Sequence, residues 1–367
     1  MNKLKAAIIG SGLIANLKHI PAFKKHGDKV QLAAVCDLNL EAAQKVATAH
    51  GISAAYGNIA EMLAKEKPDL VDICTPPKTH APIAIQAAQS RCHVLIEKPM
   101  AMSVEDCDAI IAASRANKVK VCVAHSDLFY YPFIEARKLV REGAIGEFRG
   151  MRIFLSTPTD YITSKPDHWA HKLPGGVIGE TGPHIVYMTL AFINPIREVN
   201  VMAKKLLDYP WSRFEDYRID LAGEKAVSSA TLSYASNQWM ARLEIIGEKA
   251  ILLVDLEAMS LVVYRREKLR PVPIGMSVLR ECKDLLGSLF KAGARYATKS
   301  LRSTHDFIID GFADSILNNT EPPVTAAEGR ESVRVVGIIA RQLDGKSGAA
   351  VVDDTPSQKN LAGRTVA

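Results

Sequence analysis

Residues 6–15 read Ala6-Ala7-Ile8-Ile9-Gly10-Ser11-Gly12-Leu13-Ile14-Ala15, and this stretch decides the fold. Four apolar residues of strand length meet two glycines, and Leu13–Lys25 then has the character of a helix. In this G-x-G-x-x-A turn each small residue has a reason. Gly10 permits the tight turn, Gly12 lets backbone approach a pyrophosphate, and Ala15 lets the helix pack closely on the sheet. Unpaired N–H groups at the helix start supply an anion site, to which Ser11, Leu13 and Ile14 also belong. The two lysines before the apolar run also suit a signal peptide. Lys18 and His19 end that run early and no clean small-residue cleavage site follows, so the stretch reads as a strand.

Working outward, residues 1–124 alternate strictly. Strand-length runs at Ala6–Ile9, Leu32–Cys36, Leu70–Cys74, His93–Ile96 and Lys120–Ala124 are separated by helical segments at Leu13–Lys25, Leu40–His50, Ile59–Lys65, Ala81–Gln89 and Val104–Asn117. That rhythm predicts a parallel sheet wrapped by helices, a Rossmann-type α/β domain over 1–124. Asp37 ends the second strand, 22 residues after Ala15, where a carboxylate binds ribose hydroxyls. It repels a 2′-phosphate, and Leu38, Asn39 and Leu40 offer no cation, so NAD is expected; NADP stays open through a more distant cation such as Lys45.

Beyond Pro132 the pattern changes. One helix (Phe133–Glu142) precedes longer, closely spaced strands at Phe148–Ser156, Glu198–Lys205, Ile219–Leu221, Ala226–Ser233, Trp239–Ile246, Ala250–Leu256 and Leu261–Tyr264. These predict an α/β domain over 125–345 with a large, mostly antiparallel open sheet, closed by a helix at Ala326–Leu343. A flexible tail is expected over 346–367.

Ligands on an open parallel sheet collect at the carboxyl ends of its strands. Two such ends are unusual: Cys74-Thr75-Pro76-Pro77, followed by His80, and Glu97-Lys98-Pro99. Prolines shape the loops where a nicotinamide would lie, and Lys98 is aimed at whatever sits beside it. Taken with GSGLIA and DLNLEAA, the segments ICTPPKTHAPIAIQAA and HVLIEKPMAMSVEDC resemble, in order and spacing, the Gfo/Idh/MocA oxidoreductases, over residues 4 to 345. The resemblance implies a nicotinamide cofactor, a catalytic Lys98, a cis Lys98–Pro99 bond, and oligomerisation through the open sheet into a homodimer or homotetramer. It adds Thr75, Pro76, Pro77, His80 and Glu97 to the cofactor side.

The segment Gly175-Gly176-Val177-Ile178-Gly179-Glu180-Thr181-Gly182-Pro183-His184 is similar to that family's GG…D-x-G-x-H pattern, with Glu180 in place of the aspartate. It implies His184 as acid/base and Glu180 as the carboxylate orienting it. Pro183 suits the first position of a helix, which would place His184 at a helix start where the dipole disfavours the imidazolium. His125-Ser126-Asp127-Leu128-Phe129 departs from the family's Y-N-R-R-F-like segment, so inositol or glucose specificity does not carry over. His168-Trp169 reads as a sugar-stacking element or a core tryptophan.

Six cysteines without metal-ligand spacing, and no apolar run of membrane-spanning length, point to a cytoplasmic protein with no metal. No nucleic-acid partner is expected. The charge is localised: residues 265–302 hold ten basic and three acidic residues, a net +7 that exceeds the +6 of the whole chain. This stretch reads as an inserted amphipathic helix. Leu279, Cys282, Leu286, Leu289, Phe290 and Tyr296 share one face, and Lys291, Arg295 and Lys299 recur on another. It reads first as a solvated helix packed on the sheet or a second subunit. The alternatives are a site for an anionic substrate and contact with an acidic membrane surface.

The function expected is hydride transfer between a sugar, sugar derivative (nucleotide-linked ones included) or cyclic polyol and NAD. The rivals are an NAD-dependent glycoside hydrolase working through transient oxidation, and a non-catalytic NAD-binding regulator.

Overall fold

The computed structural model describes residues 3–345 and the two-residue strand at 350–351. The expected flexible tail over 346–367 otherwise lies outside the described residues.

Strands β1 (Leu4–Ile9), β2 (Val30–Cys36), β3 (Ala54–Tyr56), β4 (Leu70–Ile73), β5 (His93–Glu97) and β6 (Val121–Ala124) form one sheet. Its order is β3-β2-β1-β4-β5-β6 and every pair is parallel. Helices α1 (Ile20–Lys25), α2 (Leu40–His50), α3 (Ile59–Glu66), α4 (His80–Gln89) and α5 (Val104–Ala116) make the crossovers. Asn39, Asn58 and Ser103 cap α2, α3 and α5 by accepting from backbone N–H three residues on, which fixes where those helices start. Strand β3 is not among those expected, because three half-buried residues carry no readable period. Strand order reverses between β1 and β4. Register aligns Ile9 with Ile73 and Ile73 with Ile96, so Gly10, Cys74 and Lys98 leave the carboxyl end of the sheet side by side.

The second sheet holds β7 (Phe148–Ser156), β8 (Glu198–Lys204), β9 (Asp216–Ala222), β10 (Val227–Ser233), β11 (Met240–Gly247), β12 (Ile251–Asp255), β13 (Ser260–Tyr264) and β14 (Ala350–Val351). Its order is β13-β12-β11-β7-β10-β9-β8-β14, antiparallel except for β7 with β10. Period-2 burial gives it one covered face. On β9, Tyr217, Ile219 and Leu221 point inward while Arg218 and Asp220 point out.

The remaining helices are α6 (Tyr131–Arg141), α7 (Ile178–Leu190), α8 (Pro271–Ala297), α9 (Thr304–Leu317) and α10 (Ala326–Leu343). Helix α10 packs on α7 and β8 and also on α5 and β6, tying the two sheets together. Gly329 permits this: a Cβ there would lie 2.6 Å from Val123 Cγ2. Val324 extends the contact by accepting the N–H of Val123 at 3.2 Å.

Candidate active site

The first βα turn opens the site. Gly10 has φ of +105°, and a Cβ on it would lie 2.7 Å from the Cys74 carbonyl oxygen, so only glycine closes this turn against β4. Gly12 has nothing within 4 Å of its Cβ position, the open approach a pyrophosphate needs. Leu13 is exposed beside it and Ile14 half-buried. Asp37 Oδ2 accepts from Ser11 N (2.8 Å) and Ser11 Oγ (2.7 Å), and Oδ1 from Asn39 N (2.9 Å). Partial burial raises its pKa, but these three donors outweigh it and hold the carboxyl below its ordinary value. A carboxylate offers about four lone-pair sites, so one is left for a ribose hydroxyl. Lys45, the distant cation left open for a 2′-phosphate, is paired with Glu41 at 2.8 Å, and Leu38 beyond Asp37 is 91% exposed. These residues fit a bound NAD.

The second and third strand ends are held together from behind. His80 places Nδ1 2.9 Å from the Pro99 carbonyl and Nε2 2.8 Å from that of Thr75. It is buried, as is Pro77, and ties the Thr75-Pro76-Pro77 and Lys98-Pro99 loops to one another. His80 is one of the residues expected on the cofactor side; its ring sits between these two carbonyls, and a neutral imidazole donates to one of them at a time. Glu97 is another strand-end residue expected on the cofactor side. Its carboxylate turns into the core, where Oε1 meets His19 Nε2 (2.8 Å) and His305 Nε2 (3.5 Å), and Oε2 accepts the Lys98 N–H.

His19 ends a π-helical turn (Ala15–His19) that leads into α1. Fully buried, it also binds Asp72 Oδ2 at 2.7 Å through Nδ1. Burial lowers the imidazole pKa, but Asp72 more than reverses this and the ring titrates well above 6.5; Glu97 is held well below the ordinary carboxylate range. A charged His19 between two carboxylates therefore underpins the strand carrying Lys98. Nothing local in the sequence marks His19 for this, since its partners lie 53 and 78 residues away.

Lys98 follows with a cis bond to Pro99. Its Nζ donates to the Glu180 carbonyl and to Glu180 Oε1, both at 2.8 Å. Burial pulls the ammonium pKa down, yet Glu180, then Glu97 and Asp127, hold it above the ordinary 10.5. Glu180 is half-buried; desolvation raises its carboxyl, but Lys98 and His184 more than reverse this and bring it down to about 2. An ammonium has three donors, so one N–H of Lys98 remains for a ligand.

His184 departs from expectation in two ways. Helix α7 begins at Ile178, so Pro183 lies inside it and His184 is mid-helix, away from the N-terminal dipole. Its partner is Asp127, not Glu180: His184 Nδ1 lies 2.7 Å from Asp127 Oδ2 and 2.5 Å from the Tyr187 hydroxyl. Glu180 is instead turned to Lys98. Asp127 follows β6 on the short Ser126–Phe129 turn, and its N–H donates to the Tyr187 hydroxyl (3.2 Å). Burial raises the Asp127 carboxyl, but His184, then Lys98, bring it below its ordinary value. The signal for Asp127 was available: it is a carboxylate just past a parallel strand end, in the segment that breaks the family pattern. Nε2 of His184 has no hydrogen-bond partner among the described residues.

Lys98 and His184 thus act on the same two carboxylates, Glu180 and Asp127. Tyr161 feels the charges of both Glu180 and Lys98, and its ring meets Trp239 edge-on at 5.0 Å. Both rings are exposed, as is Trp169, which is not the core tryptophan of one reading.

The sequence model of the "Oxidoreductase family, NAD-binding Rossmann fold" (Gfo/Idh/MocA) matches residues 4–125, and that of the Gfo/Idh/MocA C-terminal domain matches 133–253. Among curated relatives, D-glucoside 3-dehydrogenase of Escherichia coli (strain K12) is 32% identical over 39% of this chain and 41% of its own. D-apiose dehydrogenase of Paraburkholderia graminis is 30% identical over 45% and 44%. The chain spans less than half the length of these relatives. A solved structure of the WlbA dehydrogenase from Bordetella pertussis, in complex with NADH and UDP-GlcNAcA, is similar in fold. It has a TM-score of 0.76 at 20% identity, covering 96% of this chain and 100% of that one. With both halves of the family matched in order along one chain, this protein belongs to the Gfo/Idh/MocA oxidoreductase family.

Proposed function

We propose that the protein transfers hydride between a CH–OH group of a sugar, sugar derivative or cyclic polyol and NAD. The observation that carries this is the meeting of Lys98 and His184 over Glu180 and Asp127, at the strand ends beside the glycine turn. NAD, when bound, supplies the hydride acceptor. Gly10, Ser11, Gly12, Leu13 and Ile14 hold its pyrophosphate side, Asp37 its ribose, and Thr75 and Pro76 border the nicotinamide.

The remaining N–H of Lys98 binds the reacting hydroxyl oxygen and stabilises negative charge developing on it. His184 Nε2 takes the hydroxyl proton, and Asp127 on Nδ1 orients the ring and stabilises the imidazolium that results. Glu180 keeps Lys98 charged and positioned. Exposed Tyr161 and Trp239 offer a stacking wall to a sugar ring. Residues 1–124 act as the cofactor domain and 125–345 as the domain for substrate and subunit contacts. The outer face of the second sheet, with Arg152, Phe154, Met202 and Arg218 exposed, suits a homodimer or homotetramer. Six unpaired cysteines support a cytoplasmic location, and among the described residues no helix is long and apolar enough to cross a membrane.

A spectrophotometric screen of sugars, polyols and nucleotide-sugars with NAD and NADP tests the reading. Reduced nicotinamide should accumulate with NAD and at least one ring polyol or sugar. Turnover of a glycoside without net NADH would mark the hydrolase instead, and binding without any turnover the regulator.

A further inference from the structure

Helix α8 is docked with its polar side inward. Strand β13 is the edge of the second sheet, and its outward N–H groups need partners. They find them in side chains of α8: Val263 N donates to Asp284 Oδ2 (3.1 Å) and Leu261 N to Ser288 Oγ (3.3 Å). Arg266 adds bonds to Ser277 Oγ (2.8 Å) and Glu281 Oε1 (3.1 Å). At the far end, the guanidinium of Arg295 lies 3.9 Å over the Tyr131 ring. The helix is therefore held by Ser277, Glu281, Asp284, Ser288 and Arg295, all on one side.

Its other side is apolar and faces outward. Leu279, Leu286, Leu289, Phe290 and Tyr296 are 65–78% exposed, with Val272 and Met276 continuing the row. Cβ atoms placed on Gly275 and Gly293 would meet nothing within 4 Å, so this side is open along the helix. A helix of 27 residues is about 40 Å long and its face about 10 Å wide. The strip is then roughly 400 Å², at the size where exposed apolar patches on a monomer mark an interaction site.

Charge identifies the occupant. The only acids in α8, Glu281 and Asp284, are turned inward and bonded. Exposed Arg280, Lys283 and Lys291 have no acidic partner among the described residues, and Lys268, Arg270 and Lys299 flank the helix ends in the same condition. The expected Lys291–Arg295–Lys299 stripe is broken, since Arg295 points inward and Lys299 lies past the helix end. A second copy of this chain packed symmetrically on the strip would bring Arg280, Lys283 and Lys291 against themselves with no acid to meet them. An anionic lipid surface has the complementary sign, takes the apolar row below its headgroups and the cations at their level.

We propose that α8 is an in-plane anchor that binds the protein to the surface of a bilayer containing anionic phospholipid. The test is co-flotation of the full chain with vesicles of phosphatidylcholine, with and without phosphatidylglycerol. Binding is expected only with phosphatidylglycerol, and is expected to weaken as salt rises. Arg280→Gln/Lys283→Gln/Lys291→Gln should weaken it about a hundredfold. Leu286→Glu/Phe290→Glu should remove it with thermal unfolding and NAD binding unchanged, because these side chains touch solvent. Wild-type protein that does not float with phosphatidylglycerol vesicles overturns the proposal, as does flotation unaffected by the Glu variant. So does an oligomer, seen by light scattering without lipid, that the Glu variant dissociates while wild type ignores vesicles; the strip would then belong to a second copy. Dehydrogenase activity does not enter this test, so failure of the proposed reaction leaves it intact.

Discussion

Replacing Glu180 with glutamine removes a charge and keeps the shape, so it isolates what the carboxylate does for Lys98. In the wild type Lys98 Nζ lies 2.8 Å from Glu180 Oε1, and a glutamine carbonyl oxygen in that place could still accept its bond. The ammonium, only 13% exposed, would nonetheless lose its principal counter-charge. The magnitude follows from Glu180 itself. Its carboxyl is lowered from 4.5 to about 2, and at 1.36 kcal/mol per pKa unit this is roughly 3 kcal/mol of folded-state stabilisation. Breaking one side of a buried pair costs about 3–5 kcal/mol, which agrees. A lowered acid stabilises fully above its unfolded value, so the wild type holds this contribution above about pH 4.5 and loses it as pH falls towards 2. Urea unfolding should therefore show Glu180→Gln less stable by about 3 kcal/mol at pH 7, with the gap closing in acid. In the wild type Lys98 stays charged past 10.5; in the variant burial is less well opposed, and kcat/KM should fall earlier on the alkaline side. Equal stability at pH 7 together with superimposable pH–rate profiles would refute the pairing.

Other outcomes follow from the same geometry. Asp127→Asn should lower kcat by about 10²–10⁴-fold in steady-state assays, with NAD affinity by fluorescence titration unchanged, because His184 loses the carboxylate that orients it. Wild-type protein should bind NAD more tightly than NADP, and Asp37→Ser/Leu38→Arg should shift preference towards NADP in the same titration. His19→Gln removes the positive charge between Asp72 and Glu97 in the core and should cost about 3–5 kcal/mol in urea unfolding at pH 6. Since His19 is raised well above 6.5, its contribution is complete below that value and is lost as pH rises through the folded value, so this deficit should shrink in alkali.

Much of the architecture was legible because it rests on local signals. The apolar runs of the first half mark five of its six strands, and GSGLIA and EKP mark strand ends where ligands gather. Pairing was less legible because it depends on packing between distant segments. His184 and Asp127 are 57 residues apart, so the carboxylate past β6 and Glu180 compete as partners until the fold brings one of them to Nδ1. Pro183 misled because α7 starts five residues earlier, on Ile178, without a side-chain cap to announce it. In α8 the period of the sequence marked the apolar face, but the cation stripe expected on another face is broken, and the period could not say which side turns inward. The unsatisfied N–H groups of β13 decide that, and they draw the polar face.

The most direct test is turnover in His184→Ala and Lys98→Ala, measured beside NAD affinity with a substrate found for the wild type. Each variant should bind NAD as the wild type does and lose about 10²–10⁴-fold in kcat. Near-wild-type rates in His184→Ala would contradict the account and leave His184 a histidine packed against Tyr187 and Asp127.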